Sequence, residues 1–226
     1  MSTEAMREYL AEAYRLAYYQ AESPYISTSA LAGVKGVSAP AVTRMVQRLR
    51  EAGYLEHEPY KGIKLTQKGE REALLEIRKH RLVERFLVDV LGLGWHEVHD
   101  HADGFGAYAS DALVERMSAL AGHPRRCPHG EPIPTRDGVM PRVVDYPLNE
   151  VAVGQEYVIS RANTHDSHKL RYLDALGLKP SRKLELLERA PFHGPLKVRV
   201  GVTQHFLGYE LAEVLRVCSE AEFALV

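Results

Sequence analysis

The sequence predicts a mainly α protein with a smaller β portion, and three observations predict it. Apolar residues recur at helical spacing through most of the first 120 positions. One short alternating stretch, around Lys61-Gly62, interrupts them. From about residue 150, strand-like runs take over: "EYVISRA", "KLELLERA" and "LKVRVG".

In order along the chain, Met6, Tyr9, Leu10, Ala13, Leu16 and Ala17 mark an amphipathic helix over 4–21, broken by "SPYIS". "STSALAGVKG" reads as a short helix with Ser27 or Thr28 as cap and Gly33 or Gly36 near its end. "VSAPAVTRMVQRLREAGYL" offers Ser38 as N-cap, Pro40 in the first turn, and Val42, Met45, Val46 and Leu49 as a buried stripe, with Gly53 as the stop. "YLEHEPYKGIKLTQKG" then alternates as a small hairpin. A long helix is expected over 66–90, ending at Gly92, and another over 97–121, ending at "AGHP". Leu82, Phe86, Leu87 and Val90 with Tyr108, Leu113, Val114 and Met117 suit a helical interface, for which an isologous dimer is the commonest assembly. "GHPRRCPHGEPIPTRDG", with four prolines and three glycines, is loop. The later strand runs, with "THDSHKLRYLDALG" between them as a helix, suggest a small β-barrel.

Composition narrows the classes. With 45% hydrophobic and 26% charged residues over 226 positions, the chain has the balance of a soluble globular protein. Acids among the apolar residues of "MSTEAMREYLAEAYRLAYY" argue against a signal peptide and a membrane span, and a cytoplasmic setting is expected. Cys127 and Cys218 lack the spacing of a disulfide framework or a cysteine-based zinc site. The net charge is −1, yet residues 31–71 carry eight Lys/Arg against four Glu. That local excess is what phosphate neutralisation requires. Helix, short helix, helix and basic hairpin within about seventy residues make a winged helix-turn-helix, whose second paired helix enters the major groove. Thr43, Arg44 and Arg48 lie off the apolar stripe of that helix. Ser38, Pro40, Thr43, Arg44 and Arg48 are therefore the expected DNA readers, Arg44 for guanine, with Lys61 in the wing on phosphate.

"HEVHDHADGFGAY" packs three histidines and two aspartates into eight residues, then turns to side chains that bind nothing. His80 and Glu84, four apart on one helix, project from one face, and His99 opens the next helix. Neutral imidazole and carboxylate are common ligands of divalent transition metals; a solvated helix face fits those two residues equally well. No P-loop, dinucleotide fingerprint, Gly-x-Ser-x-Gly or His-Glu-x-x-His occurs.

"RKHRLVERFL…GLGWHEVHD", with "CPHGEPIP" downstream and a winged helix before it, resembles the diphtheria toxin repressor and manganese transport regulator family of metal-activated bacterial repressors. "LGLKPSRKLELLERAPFHGPLKVRV…LGYELAEVLRV" is similar to the SH3-like, FeoA-type domain of its longer members. The resemblance spans the chain and implies three domains: a winged helix-turn-helix over 1–72, a helical metal-binding and dimerisation domain over 73–141, and the SH3-like domain over 150–226. It implies one metal site at His80, Glu84 and His99, completed by His165 and His168 of "NTHDSHKL". The family's other, activating site falls on Glu8 and Asp103, but its next ligand positions fall on Gly106 and Ala107, and a first-helix acid falls on Ala11. Three readings stay open: weak binding helped by water, Asp100, His101 or Glu12; a vestigial site whose role the histidine-rich site has taken, which is favoured; or a lost metal response. The family's anion-binding position falls on Arg81, with loop partners at Cys127 and Glu131. His129 is expected on backbone, and His57, His96, His123, His193 and His205 lack partners at ligand spacing.

The implied function is a homodimeric repressor of metal-uptake genes, activated by Mn²⁺ or alternatively Fe²⁺. It would place two winged helices on a palindromic operator about 34 Å apart. The rivals are a metal-independent DNA-binding regulator and a His/Glu metalloenzyme, for which no matched general base is visible.

Overall fold

The computed structural model describes residues 2–20 and 23–225; residue 21, the expected end of the first helix, lies outside them, as do the side chains of Tyr19 and Ala107. The chain forms two compact units, one of residues 1–79 with 134–140, the other of 80–133 with 141–226.

In the first unit, α1 (Glu4–Tyr19) starts at Thr3, whose side chain accepts from the Met6 N–H. Ser27 caps α2 (Thr28–Lys35) through the Ala30 N–H, and Gly36 closes it in the left-handed region. In α3 (Ala39–Glu51) the stripe of Val42, Val46 and Leu49 is buried, with Leu10, Leu31 and Ile63 in the same core. The strands β1 (Leu55–Glu58) and β2 (Gly62–Leu65) pair antiparallel, Leu55 opposite Leu65. Ile26 bridges to Ile63. A Cβ at Gly62 would stand 2.3 Å from the Ile26 carbonyl oxygen at φ +113°, so only glycine lets the wing lie against the backbone at Ile26.

The long helix α4 (Gln67–Asp89) was legible nearly to the residue. The single helix expected over 97–121 is two, α5 (Val98–Tyr108) and α6 (Asp111–Leu120). Ser110 splits them, because its side chain accepts from the Leu113 N–H as the N-cap of α6. In the second unit, Val83, Leu87, Val98, Ala102 and Met117 share one core. Of the expected interface residues, Leu82, Leu87, Val114 and Met117 are buried within this chain, whereas Val90, Tyr108 and Leu113 are exposed.

The C-terminal sheet comprises β3 (Tyr146–Pro147), β4 (Gln155–Ala162), β5 (Lys183–Arg189), β6 (Leu196–Val200), β7 (Thr203–Leu207) and β8 (Leu215–Cys218). Their order is β3-β8-β4-β5-β6-β7, antiparallel throughout. Among the described residues the two edge strands do not pair with each other, so the expected barrel is an open, SH3-like sheet. The helices α7 (Ser167–Ala175), α8 (Tyr209–Val214) and α9 (Glu220–Phe223) accompany it. Ile159, Leu170, Leu173, Leu184, Val198 and Leu215 are almost fully buried in its core, which also takes Trp95.

A buried chain of charges crosses this unit. Arg81 of α4 donates to Glu131, Glu131 accepts from Arg161 of β4, and Arg161 and Arg216 both hold Asp145 at 2.9 Å. The two guanidiniums hold the Asp145 carboxyl below its usual range, against the burial that would raise it.

Candidate metal centre

One carboxylate organises the site. His80 and Glu84 lie one turn apart on α4, His99 sits in the first turn of α5, and the proline-bounded loop before Ile133 brings in Cys127 and His129. Glu84 Oε1 stands 3.0 Å from His80 Nε2, 3.1 Å from His99 Nδ1 and 3.6 Å from His129 Nδ1. His80 Nε2 and His99 Nδ1 are 3.2 Å apart. Neighbouring ligands of a six-coordinate ion at about 2.2 Å are separated by about 3.1 Å, so the triangle of His80, Glu84 and His99 suits such an ion.

The other ring nitrogens settle what the converging ones offer. His129 Nε2 is 2.8 Å from the Trp95 carbonyl, which only accepts, so this nitrogen carries the proton. His80 Nδ1 is 2.9 Å from Asp103 Oδ1, which fixes its proton likewise. In the neutral rings, His80 Nε2 and His129 Nδ1 then turn lone pairs toward a carboxylate. Lone pairs facing an anion need a cation between them, either a proton or a metal ion. Burial would raise the Glu84 carboxyl, but the His80 charge and the hydrogen bonds of His129, His80 and His99 hold it well below its usual range. Burial likewise opposes charge on His129, yet Cys127 and Glu84 push it up to about 11. A carboxylate, as Asp103 is to His80, and a backbone carbonyl, as Trp95 offers His129, are the usual outer partners of metal-ligating histidines.

The ligand atoms of Glu84, Cys127 and His129 form a second close group sharing Glu84, with Cys127 Sγ 4.0 Å from His129 Nδ1. His165 stacks flat on His99, ring centroids 3.8 Å apart, and stands edge-on to His129. His168 is exposed in the first turn of α7, and its backbone N–H donates to Asp166 Oδ1 at 2.8 Å; it is not in either close group. Glu8 belongs to the first unit and pairs with Lys35 at 3.0 Å, whereas Asp103 belongs to the second and pairs with His80. Gly106 lies in α5 with no side chain to offer. The position marked for an anion, Arg81, is taken by Glu131 and the Pro132 carbonyl. Sequence reasoning placed His129 on backbone, which is true of Nε2, but missed Nδ1. The signal was Cys127-Pro-His129, two ligand types in a loop that prolines hold in one shape.

On the first unit, Ser38, Pro40, Thr43, Arg44 and Arg48 are all exposed, in keeping with an outward-facing helix. Lys61 is exposed at the wing, 2.8 Å from Glu58 and over the Tyr25 ring.

Comparisons with known proteins fit this geometry segment by segment. The family described as "Iron dependent repressor, N-terminal DNA binding domain" matches residues 1–63. "Iron dependent repressor, metal binding and dimerisation domain" matches 66–135, and "FeoA domain" matches 146–218. The iron-dependent repressor IdeR of Mycobacterium tuberculosis is 30% identical over 196 residues, 80% of this chain and 83% of that protein. A solved manganese-dependent transcriptional repressor in complex with manganese is 33% identical with a TM-score of 0.87, covering 95% of this chain and 99% of that one. ScaR with bound Cd²⁺ is 28% identical with a TM-score of 0.78, again over 95% and 99%. These relatives are repressors rather than enzymes. The chain therefore belongs to the iron-dependent repressor family, the metal-dependent transcriptional regulators of the diphtheria toxin repressor and manganese transport regulator type.

Proposed function

We propose that this chain is a divalent-metal-activated repressor that binds a palindromic operator as a cytoplasmic homodimer and controls metal-uptake genes, with manganese the first choice of ion and iron the second. One observation carries the reading: His80 Nε2, His99 Nδ1 and His129 Nδ1 converge on the buried Glu84 carboxylate. The metal is held by His80, Glu84 and His99 with His129 beside them, and His165 covers His99. Asp103 orients His80 and is not itself a ligand; Glu8 and His168 stand outside the set. When bound, the ion supplies the positive charge that the converging lone pairs require. The functional division follows residues 1–72 for DNA, 73–141 for metal and dimerisation, and 150–226 for the SH3-like portion. On DNA, Ser38, Pro40, Thr43, Arg44 and Arg48 read the major groove, and Lys61 takes phosphate once it leaves Glu58.

The Cys127 thiol favours a second reading of the ion. Thiolate together with imidazole suits iron(II) or zinc better than manganese, by ligand softness. Titrating Mn²⁺, Fe²⁺ and Zn²⁺ separately into an operator-binding assay tests both readings. The expected result is DNA affinity that rises with metal and is lost in His80→Ala and His165→Ala, while Glu8→Ala and His168→Ala respond normally. Equal affinity with chelator and with metal would mean a metal-independent regulator instead.

A further inference from the structure

We propose that a cleft beside the metal centre binds a small organic oxyanion, a carboxylate or phosphate carried on a flat or apolar body. The cleft, about 460 Å³, lies between the turn joining α4 to α5, the loop before Ile133 and the residues after α7. Its wall holds four cations, Arg85, Arg125, Arg126 and Lys179, against one acid, Asp174. Asp89 pairs with Arg85 and Asp174 with Lys179. Among the described residues, neither Arg125 nor Arg126 has a carboxylate in ion-pair reach.

Arg126 is the centre of the argument. Its Nη1 donates to the Gly130 carbonyl at 2.9 Å and to Ser160 Oγ. Its Nε and Nη2 are buried and meet no acceptor. Those two N–H groups point in parallel from one edge of the guanidinium, the edge that takes a carboxylate or phosphate bidentately. Buried donors are nearly always satisfied, so an unmatched pair on one edge marks a place for an ion. The indole N–H of Trp95, a residue only 4% exposed, is a third unmatched donor in the same wall. Phe223 covers the guanidinium face at 4.6 Å, which screens the site from bulk water and strengthens any charge pair formed there. Charge balance points the same way: Arg81 and Arg161 share Glu131, and Arg161 and Arg216 share Asp145, whereas Arg126 has no carboxylate in ion-pair reach among the described residues. Arg81 is already satisfied by Glu131, so the proposed site is not the one at that residue. The ring of Trp95 and the rings of the neighbouring prolines supply the apolar wall, and the Trp95 carbonyl also holds His129.

Trp95 is the single tryptophan of the chain, so its fluorescence reports occupancy directly. Phenyl phosphate, benzoate and inorganic phosphate are titrated into the metal-free full chain at constant ionic strength, read by fluorescence and calorimetry. Expected is saturable one-to-one binding of phenyl phosphate or benzoate, weakened about tenfold or more in Arg126→Gln and severalfold in Arg125→Gln. Trp95→Phe, read by calorimetry, keeps an aromatic ring, loses the N–H and weakens binding. Absence of saturable binding by any probe overturns the proposal, as does affinity unchanged in these variants. Inorganic phosphate binding as tightly as phenyl phosphate overturns the organic body. If Arg126→Gln loses its circular dichroism spectrum, the exposed Arg125→Gln and the aromatic replacement Trp95→Phe decide the matter.

Discussion

Asp103→Asn tests the metal centre at its most informative point. Read from sequence, Asp103 falls on the family's other site, for which the vestigial reading is favoured. In the structure its carboxylate stands 2.9 Å from His80 Nδ1, the nitrogen that does not face Glu84. Losing a carboxylate that orients a liganding histidine costs 10–100-fold in metal affinity as a rule. The Asp103 side chain is 68% exposed while that of His80 is 10% exposed, so water replaces part of the lost hydrogen bond and solvent screens the charge. The lower end of the range applies: about tenfold, or ~1.4 kcal/mol. Calorimetric titration of Mn²⁺ into wild type and variant measures it, with circular dichroism to show an unchanged fold. An affinity within twofold of wild type would refute the orienting role. A loss as large as that of His80→Ala would refute it in the other direction, making Asp103 a ligand.

Glu84→Gln removes the charge on which three imidazoles converge, and metal-dependent operator binding should disappear; retention at a similar metal concentration would displace Glu84 from the centre. Glu131→Ala leaves Arg81 and Arg161 without their shared carboxylate and should cost about 3–5 kcal/mol in urea unfolding. A loss below ~1 kcal/mol, the scale of a surface pair, would show that the charge chain is solvated in solution. Gly130→Ala puts a Cβ 2.1 Å from the Ser160 carbonyl oxygen at φ +89°, and thermal unfolding should fall by several degrees, equivalent to about 2–3 kcal/mol. Arg44→Ala should weaken operator binding by about 1–3 kcal/mol and relax preference at one base position; uniform weakening across sequences would make Arg44 a phosphate contact.

What the sequence revealed follows from what each signal is made of. Helices with a periodic stripe, such as Ala39–Glu51, were legible because the stripe is local; Ser38 stands at the N-cap position there, but its side chain makes no capping hydrogen bond. The break at Ser110 was missed because a serine inside an alanine-rich run reads as helix until its side chain is seen to accept from Leu113. The strands Tyr146–Pro147 and Leu215–Cys218 are short and pair with segments far along the chain, so no local run marked them; Thr203–Leu207 closes a hairpin with Leu196–Val200, but its mostly exposed side chains hid it. In the site, His80, Glu84 and His99 were legible from spacing and resemblance together. The pairing of Asp103 with His80, the inward face of His129 and the capture of Arg81 by Glu131 were not. Each joins residues about 20 to 50 positions apart, and two of the three depend on which nitrogen of a ring is engaged.

The chain of charges from Arg81 to Arg216 bears on how separable the family's segments are. The three matched segments invite dissection at their boundaries, with the C-terminal sheet as the natural piece to remove. Here such a cut would leave Glu131 without Arg161 and the histidine cluster without His165. It would also leave the His129 carbonyl without the Ala162 N–H that now donates to it at 2.9 Å. A shortened repressor made this way would therefore be a damaged metal protein rather than a simpler one. Residues from His80 to Ile133 form one compact unit with the sheet, and a chimera should exchange them together.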